Sequence, residues 1–304
     1  MNASSRHLLT RKAPAKINLS LRITGRRDDG FHEIDTLMVP LHGLSDVLTF
    51  AESDEFRFTC DSPELPADDS NLVVRAAKAF AAAARKPCRI HIHLEKHIPS
   101  GAGLGGGSSD AAATLRALQD IHGKPIREDE LHAIAAAIGS DVPFFMQDGP
   151  ARCAGRGEIV TPLPDILPLP LPVMLLKPTF PVATVDAYRR ALDPKIGTIP
   201  GISMTAQSSG VAGISCINDL ERSVFAKHRF LAELKQWLAD RPEIRAALMS
   251  GSGSTVFAIL KTDGSAETIP FATAASVAEV ATTIARAATQ EIDPTLWHWH
   301  GIAG

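Results

Sequence analysis

The stretch Pro99-Ser-Gly-Ala-Gly-Leu-Gly-Gly-Gly-Ser-Ser109 decides how this chain is read. Ahead of it, Arg89 to Leu94 alternates, with Ile90, Ile92 and Leu94 on the apolar side, the period of a strand. Behind it, Leu115, Leu118 and Ile121 form a helical stripe. A helix is expected to open at Ser108 or Ser109, because serine caps free N–H groups and Asp110 suits the first turn. Glycines at this junction let backbone N–H groups turn toward an anion, and the helix dipole adds to the attraction. A flexible linker is the competing reading. It fits poorly, since linkers rarely join a clean strand to a capped helix.

Two familiar phosphate loops are set aside. The Walker pattern needs Lys and then Ser or Thr after its second glycine, but Gly106 is followed by Gly107. Gly101, Gly103 and Gly106 match GxGxxG, yet Glu95 to Ser100 separates them from the strand and a second helix follows the first. A nicotinamide-dependent oxidoreductase is therefore the runner-up, beside a nucleotide-binding module without catalysis.

Outward from the loop, Ile17, Leu19, Leu21 and Ile23 alternate with Lys16, Asn18, Ser20 and Arg22, which predicts a half-buried strand over Ala15–Thr24. Lys16 and Asn18 share its polar face. Gly25–Gly30 reads as a turn, Ile34–Leu41 as the returning strand, and Asp46–Ala51 and Phe56–Cys60 as two more. Helices are expected over Asn71–Lys86 and Glu128–Ile138, the second stopped by Gly139 before the loop Ser140–Pro143. Five prolines in Pro162–Pro172 mark a soft boundary, dividing the chain into 1–165 and 166–304. Beyond it come a strand (Val173–Leu176), a short helix (Thr184–Leu192), a loop (Ile196–Gly213) and one long helix (Asp219–Asp240). The loop Ser250–Thr255, the strand Val256–Leu260 and an alanine-rich helix end the pattern. Strands cluster before helices in each half, an α+β arrangement.

Composition narrows the function. The formal charge of −3 gives no field that draws nucleic acid or an anionic membrane, and no apolar run approaches the roughly 20 residues of a membrane span. Met1–Arg11 has no apolar core, so it is no secretory signal; a frayed start is favoured over organelle import. Cys60, Cys88, Cys153 and Cys216 stand apart, which argues for reduced thiols in a cytoplasmic enzyme rather than a zinc site. His91, His93 and His97 cluster, and a polar strand face explains them more simply than a metal.

The glycine-rich stretch resembles the second signature of the GHMP kinases (galactokinase, homoserine kinase, mevalonate kinase and phosphomevalonate kinase). Ala13-Pro-Ala-Lys-Ile-Asn-Leu19 resembles their first signature and Ser250-Gly-Ser-Gly-Ser-Thr255 their third. Three further details are similar to the 4-diphosphocytidyl-2-C-methyl-D-erythritol kinase family: Gly105-Gly-Gly107 before Ser-Ser, Gly30-Phe-His-Glu33 and Gly139-Ser-Asp-Val-Pro-Phe144. That resemblance implies a two-domain fold with its active site in the cleft between the halves. It implies ATP and Mg2+ as cofactors and a small cytidine diphosphate substrate phosphorylated on its 2-hydroxyl, in the methylerythritol phosphate route to isoprenoid precursors. Mevalonate or homoserine phosphorylation is the alternative.

By the same resemblance Lys16 and Asp141 are the catalytic pair. Pro99, Ser100, Gly101, Ala102, Gly103, Leu104, Gly105, Gly106, Gly107, Ser108 and Ser109 bind ATP. Asn18 orients substrate, Phe31 and His32 receive the cytosine ring, and Thr184 and Tyr188 close the pocket from the other side. Tyrosine is commoner in the family where this chain has Phe31, a change that keeps stacking and loses a hydroxyl. The magnesium ligands and the oligomeric state are not legible.

Overall fold

The computed structural model describes residues 6–167, 171–193, 211, 213–261 and 274–303. The first half is built on β1 (His7–Arg26) and β2 (His32–Glu52), an antiparallel pair joined through the turn at Gly30. Both run longer than their alternation predicts. The expected strands Ile34–Leu41 and Asp46–Ala51 are one strand, because His42–Ser45 forms an irregularity in the pairing instead of a turn. β3 (Arg57–Cys60) pairs with β4 (Ile90–Glu95), which pairs with the far half of β2. β5 (Ala151–Gly155) pairs with the near half of β2 and with β6 (Ile159–Pro162).

On this sheet lie α1 (Leu72–Ala84), α2 (Gly106–Ile121), α3 (Glu128–Ile138) and a 3-10 turn, Pro143–Met146. Asn71 caps α1, accepting the Val73 N–H through Oδ1. Phe80, Leu115, Leu118 and Leu131 pack against Leu48, Phe50, Ile92 and Leu94.

The second half contributes β7 (Leu171–Lys177), α4 (Thr184–Arg189) and β8 (Ile217–Asn218), then α5 (Leu220–Lys227) and α6 (Arg229–Ala239). It ends with β9 (Ile244–Met249), β10 (Val256–Leu260), α7 (Ala274–Glu291) and β11 (Trp297–Ala303). The second sheet has the order β11-β7-β10-β9, all antiparallel. The expected long helix Asp219–Asp240 is two helices. His228 breaks it with a non-helical backbone (φ −120°, ψ 72°) while its ring stacks on Phe180 at 5.2 Å. The expected loop Ile196–Gly213 falls almost wholly outside the described residues.

The two sheets face each other. Ile17, Leu19, Val39 and Leu41 from the first meet Val173, Leu175, Phe257 and Ile259 from the second. Each such buried side chain contributes about 1.5–3 kcal/mol. The other face of the second sheet buries Met174, Leu176 and Val256 under α5, α6 and α7. The layers are thus helices, sheet, sheet, helices, in an α+β fold. β8 crosses back to extend the first sheet beside β1, pairing Leu21 with Asn218. Among the described residues no helix is long and apolar enough to cross a membrane.

Because both faces of β1 are covered, the expected half-buried strand is buried throughout its middle. Lys16 and Asn18 are 3% and 1% exposed. Their polar face opens into a cavity, not into bulk water.

Candidate active site

The helix after the glycine-rich loop starts earlier than serine capping predicts. Gly105 is the N-cap of α2, in a left-handed conformation (φ 73°), and no side chain caps the helix. Serines 108 and 109 therefore sit inside the first turn. A side chain on Gly105 would begin 2.9 Å from the Phe145 ring and 3.0 Å from Lys16 Cγ.

Gly103 is the knot of the site. Its carbonyl accepts from Lys16 Nζ at 2.9 Å and from Ser250 Oγ at 3.0 Å, so one backbone oxygen ties together all three glycine- and lysine-bearing segments. A Cβ placed there would lie 2.1 Å from the Ser250 carbonyl oxygen. Adjacent backbone bonds repeat the link: Lys16 N–H to Leu104 O and Thr255 N–H to Ala102 O. Asn218 holds the third loop from beneath, donating to the Met249 and Gly251 carbonyls.

Lys16 Nζ also donates to Asn18 Oδ1 at 2.7 Å, and Asp141 Oδ2 stands 3.6 Å away. Burial pulls the ammonium below the usual lysine range, opposed by the Asp141 charge. Asn18 passes its other end to Thr36, which donates to Ser20 O. Asn18 lines the cavity, with its amide oxygen on Lys16 and its amide nitrogen on Thr36. Thr36 was not singled out from sequence, since an isolated strand threonine carries no signal. Behind the pair, burial and Asp141 push the Cys153 thiol up to about 12, so it stays protonated and is no nucleophile.

Lys16, Asn18 and Gly103 line a cavity of about 460 Å3. Ser100 to Ser108, Asp141, Thr184 and Tyr188 lie on its wall. So do Leu65, Pro66 and Asn71, which sequence reasoning missed because the loop before α1 carries no motif, and Lys96, just past β4. Ser109 is not on this wall; it lines a separate, smaller cavity. Thr184 and Ser252 hydroxyls are 3.0 Å apart, coupling α4 to the third loop.

Phe31 and His32 are not among the lining residues. Phe31 is 50% exposed beneath the Arg156 guanidinium, 4.9 Å from its ring centroid. His32 packs on Tyr188, ring centroids 5.3 Å apart, which leaves no room for a third ring between them. Burial and Arg26 hold His32 below its ordinary value, so the imidazole is neutral near pH 7. Burial and Asp141 push the Tyr188 phenol up. His91 and His93, the expected polar strand face, both share Thr59 Oγ1. Among the described residues no cluster of three or more His, Cys, Asp or Glu is arranged to hold a metal ion.

The GHMP kinases N terminal domain matches residues 71–149 and the GHMP kinases C terminal domain matches 207–274. A 4-diphosphocytidyl-2-C-methyl-D-erythritol kinase of Prosthecochloris aestuarii is 42% identical, over 84% of this chain and 90% of that protein.

The chain belongs to the 4-diphosphocytidyl-2-C-methyl-D-erythritol kinase family.

The chloroplastic family member of Arabidopsis thaliana is 39% identical over 81% of this chain, which spans 66% of that longer protein. A crystal structure of a 4-(cytidine 5'-diphospho)-2C-methyl-D-erythritol kinase superposes with a TM-score of 0.74 at 35% identity, covering 97% of this chain and 99% of its own. A cytidylyl-substrate kinase is thus supported over the mevalonate and homoserine alternatives, and the family's phosphate donor is ATP.

Proposed function

We propose that the chain phosphorylates the 2-hydroxyl of 4-diphosphocytidyl-2-C-methyl-D-erythritol with ATP, using Asp141 as general base and Lys16 as the fixed cation beside it. Asp141 accepts the hydroxyl proton as the oxygen–phosphorus bond forms and the bond to ADP breaks. Lys16 sets a positive charge beside the carboxylate and lowers the cost of the developing alkoxide. ATP lies along Pro99 to Ser108, with its phosphates at the open N–H groups of α2 and its base toward Leu65, Pro66 and Asn71. What supports the reading is the joint hold on Gly103 O by Lys16 and Ser250, which fixes the cation against the glycine-rich loop.

Magnesium neutralises the transferred phosphate in this reaction class and usually keeps most of its ligands from phosphate and water. The residues fit such an ion better than a protein cage. Asp110 gives Oδ2 to Lys96 but its Oδ1 is buried without a partner, and Ser109 faces elsewhere, so the Ser108 hydroxyl and Asp110 Oδ1 are the groups that would meet it. The segments 1–165 and 166–304 divide the work: the first supplies Lys16, Asp141 and the loop, the second Thr184, Tyr188 and Ser250. Four free thiols agree with a cytoplasmic enzyme.

Incubation with Mg-ATP and a panel of cytidylyl, mevalonate and homoserine substrates, followed by ADP release, tests the assignment. Turnover confined to the cytidylyl substrate is expected; rapid turnover of mevalonate overturns it.

A further inference from the structure

A second cavity, of about 80 Å3, opens beside the first turn of α2. Ser109 lines it, whereas its neighbours Ser108 and Asp110 line the nucleotide cavity. Ser109 is 1% exposed and its Oγ has no protein partner. Two more buried polar atoms on the same wall lack one: Arg11 Nε and Gln147 Oε1. The Gln147 amide is oriented by its own bonds, because Nε2 donates to the Phe144 and Gly149 carbonyls and Oε1 must therefore face away. Buried polar atoms are rarely left unpaired, so three around one small space describe an occupant.

The charge of the wall describes it further. Arg11, Lys12 and Arg116 bring three cations against one carboxylate, Asp148, which is 3.6 Å from Arg116 and 86% exposed. Arg11 spends Nη2 on Asp120 and keeps Nε for the cavity. We propose that this cavity binds one inorganic-phosphate-sized oxyanion. Arg11 Nε and Ser109 Oγ donate to its oxygens, and Lys12 and Arg116 supply charge. Gln147 Oε1 is an acceptor and needs a proton. Hydrogen phosphate carries a P–OH to donate to it; sulfate at neutral pH does not and leaves the acceptor unpaired. The site therefore selects phosphate over sulfate.

Occupancy is felt at the nucleotide loop. Phe145 forms part of this wall, and its ring also lies against the Gly105 cap of α2. The site itself does not depend on the kinase reading, but its test must keep phosphate out of the nucleotide loop. Calorimetry of ADP is run first, which settles nucleotide binding separately. Inorganic phosphate and sulfate are then titrated at equal ionic strength into the ADP-saturated chain, with thermal melts alongside.

One phosphate per chain is expected, bound at least about tenfold tighter than sulfate and weakened about tenfold or more in Lys12→Ala/Arg116→Ala. Lys12→Ala alone, at an exposed residue, serves if the double variant misfolds. Phosphate binding that vanishes on ADP saturation overturns the proposal. Binding without preference and insensitive to both variants means an adventitious ion only. Neither heat nor a melting shift at about 10 mM phosphate means a cavity filled by water, and equally overturns it.

Discussion

Lys16 Nζ stands 3.6 Å from Asp141 Oδ2 but only 2.7 Å from Asn18 Oδ1 and 2.9 Å from Gly103 O. The cation is thus anchored by neutral groups and turned toward the carboxylate without being spent on it. A tight pair would hold both charges in the ground state; this arrangement leaves Asp141, 30% exposed, open to a hydroxyl. Asp141→Asn and Lys16→Ala are each expected to lower kcat about 10²–10⁴-fold while ATP affinity stays within a few fold. Near wild-type turnover in folded Asp141→Asn would remove the base assignment.

The same geometry carries a pH prediction. Burial depresses the Lys16 ammonium and the Asp141 charge raises it back. Asp141→Asn removes the raising charge, so Lys16 loses its proton at lower pH than in the wild type. The residual activity of Asp141→Asn is expected to fall off on the alkaline side earlier than that of the wild type. Unshifted alkaline limbs in both proteins would show that Lys16 does not govern the limb.

Gly103 and Gly105 both have positive φ, and each touches a different partner. Gly103→Ala drives a methyl into the Ser250 carbonyl and is expected to lower the melting temperature and ATP affinity together. Gly105→Val meets Phe145 and Lys16, and is expected to abolish binding of a non-hydrolysable ATP analogue measured by calorimetry. Unchanged affinity in both folded variants would move the nucleotide elsewhere.

Much of this was legible in the sequence, and what escaped has physical causes. The loop Pro99–Ser109, Lys16 and Asp141 carry dense local signals, and the structure gathers all but Ser109 at one cavity. α3 matches its expected span because Glu128 to Glu130 start it and Gly139 follows its end. β9 was missed because Ile244–Met249 shows little alternation, and a buried strand has no polar face to reveal it; β11 does alternate, Trp297 and Trp299 against His298 and His300, but the run is only four residues long. The break at His228 was hidden because apolar spacing continues across it, while its cause, stacking on Phe180, is distant in sequence. The tether from Asn18 to Thr36 was hidden because the two residues lie on different strands.

Lys96 is shared between two buried carboxylates, Asp46 and Asp110, while Asp46 also accepts the His97 and Ile98 N–H groups that start the loop. One ammonium does not neutralise two carboxylates. Burial, with repulsion from Asp46, pushes the Asp110 carboxyl up to about 8 despite Lys96. An acid whose folded pKa is raised stabilises fully below its unfolded value, near 4, and loses that contribution as pH climbs through the folded one. Asp110→Asn keeps the shape without the second charge. Its melting temperature, measured in chelator without nucleotide, is expected to gain on the wild type steadily from pH 5 to about 9. A constant difference over that range would show that Asp110 does not titrate there.

The cytosine site makes the sharpest test. Arg156 already covers one face of Phe31, and His32 is closed against Tyr188, so a base cannot enter between His32 and Tyr188. The remaining reading sets cytosine on the free face of Phe31, with the His32–Tyr188 pair as the opposite wall. Base stacking on an aromatic contributes about 1–3 kcal/mol, so Phe31→Ala is expected to weaken substrate binding roughly 5- to 150-fold. Stacking does not separate cytosine from uracil. Cytosine offers an acceptor at N3 and a donor at N4, and uracil reverses both. His32, held neutral, presents one donor and one acceptor on its ring, with its backbone groups beside them. A site built for one pattern leaves its groups unpaired with the other, so kcat/KM is expected to favour the cytidine substrate over its uridine analogue by orders of magnitude. Phe31→Ala lowers both values and keeps their ratio. Equal use of the two substrates by the wild-type enzyme would show that no edge is read, and a ratio that collapses in Phe31→Ala would assign the discrimination to Phe31 instead.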